Sequence, residues 1–239
     1  MREGEPKLVV GLVYLATAIL AMSLLSVLAS AQSVPQGATL TAGASSRGTD
    51  PASQTAEAQA GNITALNIDQ TRITDIWQGF FGNVSGAVTL EDASGSQFYD
   101  WTLAEVTGEV YATRNTIEDW TQINCTNSTH WESEETTLNI PVGATDGINE
   151  TFNSTNHDNF FVGNRIMTGC RSTRPYNSTG LPGDFWNILL NSNSTNTVYV
   201  SLLKDGADAF NGGTADFELL VPTNRQTGQA TYYFYAELS

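Results

Sequence analysis

Between Ile73 and Trp101 the chain reads ITDIWQGFFGNVSGAVTLEDASGSQFYDW, three short aromatic or β-branched runs interrupted by Gly82, Gly86 and Gly95. Such runs, bounded by Gly, Asn and Asp, form strands of an antiparallel sheet, because their side chains pack best on a pleated surface. Val84, Gly86, Val88 and Leu90 fall on one face of one such strand. Glu91–Ser96 (EDASGS) is a turn, since Asp, Ser and Gly tolerate the dihedrals of a tight reversal. Gly108–Arg114, Phe185–Leu190, Thr197–Lys204, Asp216–Pro222 and Thr231–Leu238 continue the pattern. In the last run Tyr233 and Tyr235 face one way and Tyr232, Phe234 and Leu238 the other, which marks a central strand. The expected fold is therefore all-β, a two-layer antiparallel β-sandwich or jelly roll of about nine or ten short strands.

The remaining segments are assigned around that sheet. Asn62–Ile73 reads as the opening strand, and Phe160–Thr168 as the return of the chain to the sheet. Asn115–Asn124 carries Thr116 as an N-cap with Glu118 and Asp119 in the first turn, which predicts one or two helical turns. Trp131–Leu138 is a second short helix, with Glu132, Glu134 and Glu135 expected on its solvated side.

Residues 1–31 look like a targeting segment. Arg2 and Lys7 precede an uncharged apolar stretch, Leu8–Leu28, and Ala29-Ser30-Ala31 closes it as a signal peptidase site would. The apolar stretch also matches the about 20 residues that cross a bilayer, so an uncleaved N-terminal hydrophobic helix acting as an anchor is the alternative. Either reading places the rest outside the cytoplasm. Residues 32–61 have one Leu, one Val and no aromatic residue, and read as an Ala/Ser/Thr/Gly-rich linker or stalk. A sharper expectation is that this segment donates a strand to a neighbouring subunit. Residues 62–239 form the β domain.

Charge narrows the partners. The chain is net −15, and after Lys7 only one lysine, Lys204, remains. That disfavours nucleic acid and anionic membrane surfaces, whose binding depends on Lys and Arg. The membrane is met only through the N-terminal segment, if uncleaved. Asn-x-Ser/Thr sequons occur at Asn62, Asn83, Asn124, Asn127, Asn149, Asn153, Asn177 and Asn193, and point to an N-glycosylated protein. Cys125 and Cys170 form an even pair that an exported chain joins as a disulfide. His130 and His157 lie between them, but the spacing matches no paired zinc arrangement, and both histidines read as exposed loop residues. Arg165, Arg171 and Arg174 make one basic cluster, expected to pair with carboxylates.

No nucleophile elbow, P-loop or dinucleotide glycine pattern is present, so no enzyme activity is expected. Glu105/Glu109 and Glu91/Asp92 are the carboxylate pairs that a glycosidase reading would use, and a solvated sheet face explains them equally. Asp205, Asp208, Asn211 and Asp216 cluster oxygen ligands in a Gly-rich loop, a weak candidate calcium site without the EF-hand order or a closing Glu.

The segment TRITDIWQGFFGNVSGAVTLEDASGSQFYDW, the following GEVYATR and the ending YYFYAEL resemble a group of archaeal exported, sequon-dense, all-β cell-surface glycoproteins, mostly without an assigned activity. The resemblance spans Asn62 to the C-terminus and is sharpest at Trp77–Asn83. It implies an archaeal envelope location and a natural end at Ser239, and brings no catalytic residue. The expected function is a structural or interaction protein of the cell surface, self-associating or binding other surface proteins, as a glycosylated subunit of an envelope layer or extracellular filament. The alternative is a glycan-binding or calcium-dependent adhesin-type module.

Overall fold

The main sheet runs β1 (Gln36–Gly37), β15 (Tyr233–Leu238), β5 (Gly108–Thr113), β11 (Asn196–Leu202), β10 (Asn187–Ser192), β6 (Ile123–Cys125), every neighbour antiparallel. β9 (Ser172–Thr173) also pairs with β10. Four separate two-stranded pairs complete the strands: β2 (Trp77–Gly82) with β14 (Phe217–Pro222), and the pairs β3 (Ala87–Glu91)–β4 (Gln97–Thr102), β7 (Phe160–Val162)–β8 (Arg165–Met167) and β12 (Ala207–Asp208)–β13 (Thr214–Ala215). This computed structural model describes residues 34–103, 105–192 and 196–238. The N-terminal hydrophobic segment, its cleavage site and Asn193 lie outside them. Among the described residues no helix is long and apolar enough to cross a membrane.

The expected all-β, sandwich-like architecture is present, with two helices. Its centre is β5, β11 and β10, which are apolar on both faces. The register Leu189↔Tyr199↔Ala112 puts these three on one face and Ile188, Leu190, Val198, Val200 and Tyr111 on the other. Alternation without a polar face demands two covers. One is the β14–β2 ribbon with Leu219, Val221 and Ile76, extended by Leu138, Ile148 and Phe152. The other is Trp120, the β7–β8 hairpin and the Cys125–Cys170 disulfide, whose Cα atoms are 5.0 Å apart. β14 is fastened to the sheet by Asn187 and Ser201, whose side chains donate to the Glu218 carbonyl at 2.7 and 2.8 Å. The Leu220 N–H donates back to Asn187 Oδ1 at 2.7 Å.

Several local expectations are corrected. Helix α1 spans Ser128–Thr137, three residues earlier than the sequence suggests, because Asn127 caps it. Asn127 Oδ1 accepts the His130 N–H, and His130 Nδ1 accepts the Asn127 N–H. Only Glu132 of its glutamates is solvated; Glu134 and Glu135 are buried. Glu134 takes Arg114 Nε and Nη2 at 2.8 and 2.6 Å. Glu135 caps the short helix α2 (Ile148–Thr151) by accepting the Ile148 N–H at 2.7 Å. The turn at Trp120–Gln122 is 3-10 and starts at Asp119, not Thr116. Phe160–Thr168 forms its own hairpin, turned at Gly163 with φ +55°, where a side chain other than glycine is strained.

Asn62–Ile73 is not a strand. It is exposed until Ile73 and has no ladder partner, because its apolar residues split between faces, Ile63 on one and Leu66 and Ile68 on the other. Its end is tied by the Ile73 N–H to Asp50 at 2.7 Å and by the Arg72–Asp75 ion pair. The linker joins the domain instead. Gln36 and Gly37 pair with Ala236 and Tyr235, and the Ala38 N–H reaches the Phe234 carbonyl at 3.1 Å.

The Arg114–Glu134 pair underlies the α1 cover, since Glu134 also accepts the hydroxyl of the fully buried Tyr199 at 3.4 Å. Replacing Arg114 with Met leaves a buried carboxylate unpaired, and should cost about 3 kcal/mol in chemical unfolding. The double change R114M/E134L removes both charges and should recover most of that loss; a double variant as unstable as R114M would contradict the pairing.

Candidate interaction surface

Asn62, Asn83, Asn124, Asn127 and Asn153 are exposed, and Asn149 and Asn177 are half-buried. Asn62 stands beside a turn closed by its own N–H to the Gln59 carbonyl at 3.2 Å, with Gly61 at φ +87°. Asn177 Oδ1 gathers Thr179 N–H, Thr179 hydroxyl and Leu181 N–H between 2.7 and 3.2 Å, so its amide nitrogen is turned away from that turn. Asn127 caps α1 through Oδ1 alone, which leaves Nδ2 outside the cap.

The two histidines serve the backbone. His157 is buried, contrary to its polar surroundings in sequence, because Nε2 accepts the Cys170 N–H at 2.8 Å. The proton therefore sits on Nδ1, against the Asp158 carbonyl at 2.8 Å. Among the described residues Arg165, Arg171 and Arg174 form no ion pair, contrary to the expectation. Arg171 lies over Trp131 at 4.9 Å and donates to Asn149 and the Phe152 carbonyl, while Arg174 lies over Trp186 at 4.7 Å.

The loop Asp205–Asp216 is a small hairpin in which Asp216 and Asn211 accept backbone N–H groups. Asp216 Oδ1 accepts the Gly206 N–H at 2.9 Å and Oδ2 the Val84 N–H at 2.8 Å. Asn211 accepts the Gly213 N–H, and Asp205 and Asp208 are exposed. Among the described residues no three His, Cys, Asp or Glu side chains converge as a metal site requires.

Of the carboxylate pairs, Glu105, Glu91 and Asp92 are exposed, and Asp92 ties its own turn through Ser94 and Ser96. Glu109 is buried instead. It lies directly opposite Glu237 across β5 and β15, both are buried, and the Tyr111 hydroxyl reaches Glu237 at 3.1 Å and Glu109 at 3.4 Å. Glu237 also accepts the Gly163 N–H at 3.0 Å, which favours its charge. Burial, and then the neighbouring Glu237, push Glu109 up to about 8. The signal in sequence is a glutamate inside runs (GEVYATR, YYFYAEL) apolar on both faces.

The β3–β4 hairpin carries an exposed apolar face. Val88 pairs with Trp101 and Leu90 with Tyr99, so these four share a face, and all are at least half exposed. Tyr99 and Trp101 lie 4.8 Å apart, centroid to centroid. Phe98, at 83% exposed, stands on the opposite face. An isolated two-stranded hairpin is marginal in water, so this one gains from cover. No protein-family model, no curated protein and no solved structure matches this chain.

The glutamate pair sets a pH dependence. A carboxyl kept protonated by the fold contributes stability that is complete below its unfolded value of 4.5 and is lost as pH rises through about 8. Burial raises Glu135, Glu218 and Glu237 in the same direction. Unfolding free energy should therefore fall between about pH 5 and 8, by at most about 1.4 kcal/mol per pH unit for one group, and the melting temperature with it. Glu109→Gln should flatten that slope, and a parallel profile would contradict the assignment.

Proposed function

We propose that the chain is an exported, N-glycosylated structural or interaction protein of an archaeal cell surface, a subunit of an envelope layer or extracellular filament. The observation that carries this reading is the uncovered β3–β4 face of Val88, Leu90, Tyr99 and Trp101. Contiguous apolar surface of this kind marks a contact site on a soluble domain. The Cys125–Cys170 disulfide is compatible with an oxidising compartment, and exposed sequons suit glycans that occupy the surface left between contacts.

A second reading is favoured by the Tyr99–Trp101 pair. Two adjacent exposed rings on one face of β4 form a platform on which a sugar ring can stack, as in a glycan-binding adhesin. A calcium-dependent version of it would use Asp205–Asp216.

Native protein released from cells, viewed by electron microscopy and weighed intact, tests the first reading. Ordered polymers with a mass above the polypeptide are expected. Monomers of glycosylated protein that bind a glycan array, and lose that binding in Trp101→Ala, would support the adhesin instead. A melting temperature lowered by chelator would point to calcium.

A further inference from the structure

The sandwich is open along one seam. The main sheet extends through β15 to β1, whereas among the described residues the strands of the layer above it are β14 and β2. β14 lies over the sheet, and β2 is the outer strand of the pair with, among the described residues, a single ladder partner. The N–H and C=O groups of its other edge therefore have no strand beside them. Inward residues of β2 show what is missing. Phe80 pairs with Leu219, which is 1% exposed, yet Phe80 itself is 37% exposed. It meets the sheet in an edge-on contact with Phe234 at 5.3 Å. Next to it an open groove of about 390 Å3 runs between Gln78 and Phe80 on one side and Thr231 and Tyr232 on the other, floored by Val221. No side chain lining it is charged. The place of a third strand beside β2 is vacant, and it calls for an extended, uncharged segment with small-to-medium apolar side chains on one face.

We propose that this place is taken by the segment Asn62–Ile73 of a second copy of the chain, a deepening that rests on the structural-subunit reading above. Three observations select the occupant. Thr64, Leu66, Ile68 and Gln70 alternate on one face, and among the described residues the segment has no ladder of its own; only its ends are tied, Asn62 N–H to the Gln59 carbonyl and Ile73 N–H to Asp50. Between Asn62 and Gln70 it carries a single charge, Asp69. Arg72 follows, so over Asn62–Ile73 the formal charges sum to zero, and in a chain of net −15 a strand without net charge and an uncharged groove are surfaces on which two copies meet without repulsion. Reach also suffices. Leu66 lies ten residues before the buried Ile76, a span of at most about 35 Å when extended.

The same copy does not supply the strand here. Thr74 is held by Asp146 at 2.6 Å, and Ile73 by Asp50, and none of these four residues lines the groove. The observed β1–β15 pair shows the chemistry on a smaller scale: a segment from the N-terminal linker lengthens a sheet by edge addition. The segment that donates is thus not the linker itself but the stretch after it.

The test uses the full-length chain. Leu66 and Ile68 are exposed, so L66D/I68D should keep the melting temperature of the parent while polymers are lost. A mixture of two single variants, L66C and Q78C, should form a disulfide-linked dimer that neither variant forms alone. Polymers of L66D/I68D indistinguishable from the parent would overturn the strand donation and leave the structural reading standing. An internal cross-link in monomers of L66C/Q78C, with no cross-linked dimer in the mixture, would overturn it in favour of a strand folded back in its own chain. Parent protein that stays monomeric at native density would overturn the structural reading and this inference together.

Discussion

A sheet that is apolar on both faces cannot stand in water on either side, and β5, β10 and β11 make such a sheet. Tyr111 and Tyr199 point to opposite sides of it, both fully buried. Everything else in the domain supplies cover. The cover on the Tyr111 side is assembled from a 3-10 turn, a hairpin and the disulfide, parts too small to fold alone. The disulfide closes a 45-residue separation and so ties the hairpin region to β6; a bridge of that span contributes about 4 kcal/mol in the chain-entropy account. The cover on the Tyr199 side combines a two-stranded ribbon with helices, and its narrowness is what opens the seam beside β2.

Polar groups inside this arrangement are used with economy. Glu134, Glu135 and Glu218 each accept hydrogen bonds at a joint between elements: helix to sheet, helix to helix, loop to ribbon. Asn187 does the same for β14 with a side chain that both donates and accepts. The Glu109–Glu237–Tyr111 group differs, because two carboxyls share one hydroxyl and only one of them has backbone support. Gly108 opens β5 at φ +121° against the Glu237 carbonyl, a backbone approach that leaves no room for a side chain and fixes the two glutamates opposite each other.

What could be read from the sequence was whatever repeats locally. Strands β5, β10, β11, β14 and β15 follow from β-branched and aromatic runs bounded by turn residues, and the disulfide follows from an even cysteine pair. Placement was not legible. Whether Glu109 or Glu134 faces water depends on which element lands on it, and an acidic residue in a helix reads as solvated until Arg114 is brought to it from β5. The fate of Asn62–Ile73 was misread for a similar reason, since alternation says that a segment suits a sheet and not whether an edge is there to receive it. The aromatics of β3–β4 were visible as strand formers but not as an uncovered face, because buried and exposed faces use the same residues.

The pairing of β1 with β15 has a mechanical side. The two strands are antiparallel, with Gln36 opposite Ala236, so Val34 and Leu238 leave the sheet at the same end. Tension applied between those two points does not shear the ladder, which would load its hydrogen bonds together. It peels them one after another, beginning at Gln36. A two-residue strand under such a load releases at low force, while β5, held between β15 and β11, stays in place. The domain thus carries a short extensible lead that yields before its core does.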